Sequence, residues 1–557
     1  MRSLFSSTAA MSIAALMTAC GGSDGAEVSS NDARLKFDPA AYTTVNITVD
    51  GVATRVRQYR IVYVANPVKM ATTQAALGGN NTVTLADPYA YQSMIVSVPE
   101  DKASDQKTAL YFLVNNSGWW ASPVATTIGE GAKFVSTSET DNIGAALKAG
   151  YVVVNVGTRS RGGARAEDGR WMGKAPAPVV DAKAAIRYLR LNDATMPGSA
   201  ERIIVTGTSG GGGLTAAVSA SGNSADYLPL LAEVGAAGVA GSGATATSTL
   251  KDDVFAAVAY CPINNLGNAD AGYEWEYNAV RTASNTGALG GVAYTAGPQP
   301  AASLAIASSF PAYVNSLALK LDNGTALTAS NLRDATRVLV QQELERQIAK
   351  GTAVPPLGGN FVTNRATVAN DWLTLSGTGT SATITGFDYA RFVRYVAANQ
   401  ALKTVVAFDA VGVTGNTAIS GETNLFGSSA VQYSNFTDWS WTQNAVRGDG
   451  SGPDDTGLTW AQYLASPASS LASQLKLINP LAYLNTAADS APYWYVRHGM
   501  VDRDTAFAMQ TLLYYALKND SSIKDVSFKY PYLVGHSGNY DVQEAFAWIK
   551  SRLAANP

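Results

Sequence analysis

Eight apolar runs punctuate the chain: Tyr59 to Ala65, Tyr91 to Val98, Leu110 to Asn115, Tyr151 to Val156, Arg202 to Gly207, Val254 to Cys261, Tyr493 to His498 and Val526 to Leu533. Their length and their β-branched and aromatic content read as strands. The runs at Tyr151 and Arg202 are almost unbroken Val and Ile, which suits strands covered on both faces of a parallel sheet. Helical periodicity fills several of the gaps, as in Val179 to Arg190, and closes the chain from Val542 to Leu553. Alternating strand and helix predicts an α/β chain with a mostly parallel, doubly wound sheet of about eight strands. Between the sixth and seventh strands lies an interval far longer than a crossover requires. It predicts an inserted domain at 271–479, with helices at Leu332 to Ala349 and Tyr389 to Leu402. The main body is then 36–270 together with 480–557. An insertion at this point overhangs the carboxyl ends of the strands, so it reads as a lid, with a separate appendage as the alternative.

Composition narrows the class. Hydrophobic residues make up 46% of 557 residues and the formal charge is -3, which suits a large buried core and gives no basic excess for nucleic acid. The N-terminus changes the picture more. Arg2, a mostly apolar stretch and then Leu16-Met17-Thr18-Ala19-Cys20-Gly21 look like a lipoprotein signal peptide (1–20) with Cys20 as the lipid attachment site. A flexible tether follows at 21–35. These features predict an exported bacterial lipoprotein of the outer membrane that touches the membrane only through its lipid. An ordinary cleaved signal peptide is the alternative. Cys261 is the other cysteine, in an apolar run, and reads as a buried core thiol.

The candidate chemistry centres on Ser209. The strand Arg202 to Gly207 runs into Gly207-Thr208-Ser209-Gly210-Gly211 and then a small-residue helical segment. That is the strand–turn–helix setting of a G-x-S-x-G nucleophile elbow. Serine needs an adjacent base, and the chain has only two histidines. His536 follows the last strand, where this order of residues puts a general base, whereas His498 precedes the acid and reads as a locally bonded strand-end histidine. The orienting acid should follow the seventh strand, in His498-Gly-Met-Val-Asp502-Arg-Asp504. The H-G-x-x-D pattern favours Asp502, and Asp504 is its rival. An oxyanion hole would use the Gly210 amide and one donor from Asn115-Asn116-Ser117-Gly118-Trp119-Trp120, with Ser117 and Gly118 the candidates. Trp119 and Trp120 are either pocket wall or core. No nucleotide-binding or metal-site motif stands beside these residues, so the chemistry calls for no cofactor and no metal.

Several blocks together carry a family resemblance. They are Val180-Asp181-Ala-Lys183-Ala-Ala-Ile-Arg187-Tyr188-Leu189-Arg190, leading to Gly207-Thr208-Ser209-Gly210-Gly211; Ala259-Tyr260-Cys261-Pro262-Ile263 with Asn268-Ala269-Asp270-Ala271 and Tyr273-Glu274-Trp275; Arg497-His498-Gly499 with Asp502-Arg503-Asp504; and His536-Ser537-Gly538-Asn539-Tyr540-Asp541. In these the chain resembles the bacterial tannases (tannin acylhydrolases) of the α/β-hydrolase superfamily. The resemblance implies an α/β-hydrolase fold with a lid before the seventh strand. It implies hydrolysis of galloyl esters to gallic acid through Ser209, Asp502 and His536, with an acyl-enzyme. It further implies that Asp504, with Lys403 and Glu422 from the lid, binds phenolic hydroxyls. The family commonly has alanine where this chain has Gly210. Fungal-type tannases place a cysteine beside the serine and another beside the base, and this chain has neither. A feruloyl or broader aryl carboxylesterase is the neighbouring possibility, and a catalytically dead surface-binding lipoprotein is the alternative from another class. Either a monomer or a dimer fits the sequence.

Overall fold

The computed structural model describes residues 30–77, 81–162, 164–281, 288–289, 292–293, 299–410, 412, 422–444 and 453–556. Cys20 and the expected signal peptide lie outside the described residues. The expected tether does not extend to residue 35. Ser30–Arg34 is a short helix, Leu35 is buried in the core, and Asp32 accepts the Gly238 amide at 2.7 Å.

A ten-stranded sheet forms the body. In chain order its strands are β1 (Thr43–Val49), β2 (Val52–Val62), β3 (Ser93–Pro99), β4 (Leu110–Val114), β5 (Lys133–Phe134), β6 (Val152–Val156), β7 (Ile203–Thr208), β8 (Ala256–Tyr260), β9 (Tyr493–Arg497) and β10 (Asp525–Lys529). They lie side by side as β10-β9-β8-β7-β4-β6-β3-β2-β1-β5. The six strands from β10 to β6 run parallel, and β3, β2 and β1 follow antiparallel. All eight apolar runs are strands of this sheet, as the α/β-hydrolase expectation requires. The hairpin strand β1 adds a ninth. Its signal was available: Thr43-Thr-Val-Asn-Ile-Thr-Val49 alternates, and Asp50-Gly51 turns with φ of 53° and 76°. The tenth, β5, is too short to carry a pattern.

Strands β4, β6 and β8 are buried at every position, because helices cover both faces of the sheet. Among those helices are α1 (Ala177–Leu191), α2 (Gly210–Ala220), α6 (Phe507–Asn519) and α7 (Val542–Ala554), which flank three helices of 11 residues or more among the described residues of the long interval between β8 and β9. The three are α3 (Leu266–Tyr277), α4 (Leu332–Ala349) and α5 (Tyr389–Asn399), accompanied by the small hairpins Asn360–Val362 with Thr367–Ala369 and Leu373–Ser376 with Thr383–Phe387. Helix α3 runs straight through the expected boundary at 271. Much of the insertion is continuous with the body: Leu344, Phe361, Trp372 and Phe392 belong to one apolar cluster with Val114 and Val154, while Ile306, Val405, Val406 and Ala410 form a small cluster of their own. No described helix is long and apolar enough to cross a membrane.

Helix α1 shows why its sequence block is so polar for a buried helix. Asp181 receives the Arg159 guanidinium (2.7 Å) and backbone amide (2.8 Å). Lys183 and Arg187 both bond Asp252, at 2.7 and 3.0 Å, with side chains 0%, 1% and 2% exposed for Lys183, Arg187 and Asp252. A charge this deep is tolerable only when paired. Asp252→Ala therefore leaves two cations unopposed and is expected to cost about 3–5 kcal/mol of unfolding free energy. Urea denaturation checks this, and a loss below 1 kcal/mol, the scale of an exposed pair, would refute it.

Candidate active site

The site assembles at the carboxyl ends of β7, β9 and β10. Ser209 leaves β7 with φ 61° and ψ -121°, outside the regions an L-residue favours. Three bonds hold it there: its amide donates to the Tyr260 carbonyl (2.9 Å), and its carbonyl accepts the amides of Ile263 (3.1 Å) and Gly213 (2.9 Å). The turn is tight enough that a Cβ on Gly207 would stand 2.4 Å from the Gly211 oxygen.

Ser209 Oγ lies 2.8 Å from His536 Nε2, and His536 Nδ1 lies 2.8 Å from Asp502 Oδ2. The other Asp502 oxygen accepts the Asp504 amide at 2.8 Å. Asp504 itself stands farther back, 3.7 Å from His536 Nδ1, and pairs with Arg503 at 2.6 Å. The geometry sets Asp502, not Asp504, against the imidazole. Burial works against the Asp502 carboxylate, but His536 holds its pKa down to about 2. For His536, burial disfavours the imidazolium, yet the Asp502 carboxylate outweighs it and raises the pKa well above the ordinary 6.5.

Two residues read from the sequence as structural stand against this relay. His498 is fully buried, edge-on to Phe507 and Tyr530, with Nδ1 3.4 Å from the same Asp502 oxygen and no hydrogen bond to its ring nitrogens among the described residues. Burial lowers its pKa, so a neutral ring stands behind the acid where a locally bonded strand-end histidine was expected. Cys261 is buried, donates to the Ser537 carbonyl at 3.3 Å and stands 4.0 Å from His536 Nε2. Its residue type gave no signal of that proximity.

Beside Ser209, the Gly210 amide opens α2 without an internal acceptor. Of the two loop candidates for a second donor, the Ser117 amide is spent on the Asn115 carbonyl (3.0 Å). The Gly118 amide carries no hydrogen bond among the described residues, and Gly118 turns the loop with φ 56°. Trp119 and Trp120 are both core: Trp119 donates to the Ile263 carbonyl (2.9 Å), and the Arg161 guanidinium lies 4.9 Å over the Trp120 ring.

The insertion contributes the remaining candidates. Glu422 is buried and pairs with Arg161 at 3.1 Å, a partner absent from the sequence reading. Lys403 is half-buried, its ammonium 4.2 Å from the Phe408 ring centre. The Glu422 amide donates to the Phe408 carbonyl at 3.0 Å, so Lys403 and Glu422 both adjoin Phe408. No hydrogen bond joins Asp504 to either of them among the described residues.

Gly210 is fixed by packing as well as by its amide. A Cβ there would lie 2.0 Å from the Trp119 nitrogen and 2.5 Å from the Asn116 oxygen, both backbone atoms. Alanine does not fit here without moving the 116–119 loop. Gly210→Ala is expected to destabilise the fold by about 1–3 kcal/mol through overpacking. A thermal melt indistinguishable from that of the unaltered protein would contradict this.

Comparison with known proteins places this geometry. The BD-FAE family model, of the α/β-hydrolase class, matches residues 101–292. No curated protein sequence matches the chain. Among solved structures, a tannin acyl hydrolase in complex with 3,4-dihydroxybenzoate is similar at 30% identity, over 93% of this chain and 98% of that one, with a TM-score of 0.70. A tannin acyl hydrolase in complex with ethyl gallate is similar at 29% identity, over 94% and 99%, with a TM-score of 0.70. The tannase of Fusobacterium nucleatum is similar at 29% identity, over 93% and 99%, with a TM-score of 0.69. Likeness at this identity along nearly the full length of both chains, on an α/β-hydrolase sheet, means that the chain belongs to the bacterial tannase family and is a carboxylic ester hydrolase.

Proposed function

We propose that this protein hydrolyses galloyl esters of tannins or simple gallates to gallic acid through a Ser209–His536–Asp502 triad. The observation that carries the reading is the unbroken Ser209–His536–Asp502 relay, 2.8 Å at each step, on a strained elbow. A related enzyme's complex with ethyl gallate supports the acyl group.

In this reading Ser209 Oγ forms a bond to the ester carbonyl carbon as His536 Nε2 takes its proton. The amides of Gly210 and Gly118 receive the developing oxyanion, each worth roughly 100 to 1,000-fold in turnover. The carbon–oxygen bond to the alcohol breaks, and His536 returns the proton to the leaving oxygen. Water, deprotonated by His536, then attacks the acyl carbon, the bond from that carbon to Ser209 Oγ breaks as His536 returns the proton to Oγ, and gallate leaves. Asp502 keeps the imidazole in the tautomer that presents Nε2 to the serine and stabilises the imidazolium. Lys403 donates to the ring hydroxyls, while Glu422 and Asp504 accept from them. Such a site rejects an acyl group lacking those hydroxyls, because its buried polar groups are then left unpaired. The segment between β8 and β9 acts as the lid that carries Lys403 and Glu422. Cys20 carries the lipid that holds the enzyme at the outer membrane. Metabolic labelling with a palmitate analogue tests the anchor, which fails if Cys20→Ser leaves the label in place.

Methyl gallate is the direct test. The protein is expected to release gallate, Ser209→Ala to lose at least about 10,000-fold, and methyl ferulate to be a poorer substrate. A preference for methyl ferulate would move the assignment to an aryl esterase of another acyl group.

The pH profile follows from the charges. The base must be neutral, and Asp502 raises the His536 pKa above 6.5. So kcat/KM should fall as pH drops through a value above 6.5. Asp502→Asn removes the carboxylate, so the acid limb should move to lower pH while the plateau falls about 10,000-fold. An acid limb that stays in place in Asp502→Asn would rule out this coupling.

A further inference from the structure

The block Asn268-Ala269-Asp270 with Tyr273-Glu274-Trp275 has no part in the chemistry above, yet it is polar and buried. Asp270, Tyr273 and Glu274 are 1%, 0% and 0% exposed. They stand at i, i+3 and i+4 of α3, one face of the helix. All three hold the backbone of one segment. Asp270 Oδ1 accepts the amides of Ala407 (2.8 Å) and Phe408 (2.9 Å), and Oδ2 accepts that of Asp409 (2.9 Å). The Tyr273 hydroxyl accepts the Lys403 amide at 2.9 Å. Glu274 clasps Arg281 through two bonds of 2.6 Å, and Arg281 donates to the Lys403 carbonyl at 2.8 Å. Both backbone polar atoms of Lys403 are thus held from α3.

The other end of the same helix holds the nucleophile. Ile263, just before α3, donates its amide to the Ser209 carbonyl (3.1 Å), and its carbonyl accepts the Trp119 indole N–H (2.9 Å). We propose that this face of α3 is a molecular ruler: Asp270, Tyr273 and Glu274 are positioning residues that fix Lys403, and through Phe408 also Glu422, at a set distance from Ser209. They decide which acyl group reaches the serine without touching it. The inference rests on the galloyl reading of Lys403 and Glu422. A side chain needed only to fill space here would be apolar, since a buried carboxylate is costly. Asp270 has no ion pair among the described residues and directs three acceptor bonds onto consecutive amides of the segment.

The test uses the full chain, with methyl gallate and 4-nitrophenyl acetate, whose acyl group has no ring hydroxyls. Asp270→Asn keeps the size but loses an acceptor, and should raise KM for methyl gallate about tenfold or more. Tyr273→Phe removes one bond and should raise it a few-fold. For both variants, kcat on methyl gallate and kcat/KM on the acetate should stay within about twofold of the unaltered enzyme. Adding Tyr273→Phe to Lys403→Ala should cost little beyond Lys403→Ala alone, because Tyr273 acts through the Lys403 backbone. Equal losses on both esters, an unmoved KM, or full additivity with Lys403→Ala would overturn the ruler while leaving the galloyl reading intact. If Asp270→Asn does not fold, Tyr273→Phe carries the same comparison. An unaltered enzyme that cleaves the acetate but not methyl gallate overturns the galloyl reading and the ruler with it.

Discussion

The backbone of Ser209 sits where an L-residue does not rest unaided, and the surrounding structure is arranged to keep it there. Its φ of 61° turns the chain from β7 into α2 and leaves the hydroxyl facing His536. The strain is held by bonds from outside the turn, the Tyr260 carbonyl at the end of β8 and the Ile263 amide just beyond it. The parallel register that pairs Tyr260 with Thr208 is therefore a functional constraint as well as a structural one. Strained conformations persist only where their surroundings over-determine them, and this one has three backbone bonds and a glycine at its closest approach.

Charge is handled in three ways around that turn. Asp502 is buried but shares its oxygens between His536 and the Asp504 amide, so it stays ionised. Lys183 and Arg187 of α1 share the one Asp252 carboxylate. Asp270 and Asp409 rely on amides: Asp409 accepts those of Phe436 (2.8 Å) and Thr437 (2.7 Å), extending the hold of α3 into the insertion. Leu402, Phe408 and Leu425, which adjoin Lys403 and Glu422, belong to the main apolar cluster of the body, so both residues ride on the frame that holds the serine.

How much of this the sequence disclosed depends on how local each signal is. The eight strands were legible because a strand buried on both faces must be continuously apolar. The elbow was legible because few glycine-flanked serines follow such a strand, and the shortage of histidines reduced the search for a base to one. Asp502 and Asp504 could not be separated, since two residues of spacing do not reveal which carboxylate faces a ring supplied from beyond β10. The Arg161–Glu422 pair, the Cys261–His536 approach and the α3 contacts to Lys403 all join residues more than a hundred positions apart. Nothing local marks them. Conversely, the most conspicuous polar block, Asp181 to Arg187, proved to be a buried charge network with Arg159 and Asp252.

The central claim is that the turn and His536 together make Ser209 an activated nucleophile. It is tested most directly by treating the protein with a fluorophosphonate and mapping the adduct by peptide mass spectrometry. The account predicts one adduct per chain, on Ser209, and its loss in His536→Ala with the serine still present. An adduct elsewhere, or undiminished labelling of Ser209 without His536, would contradict it.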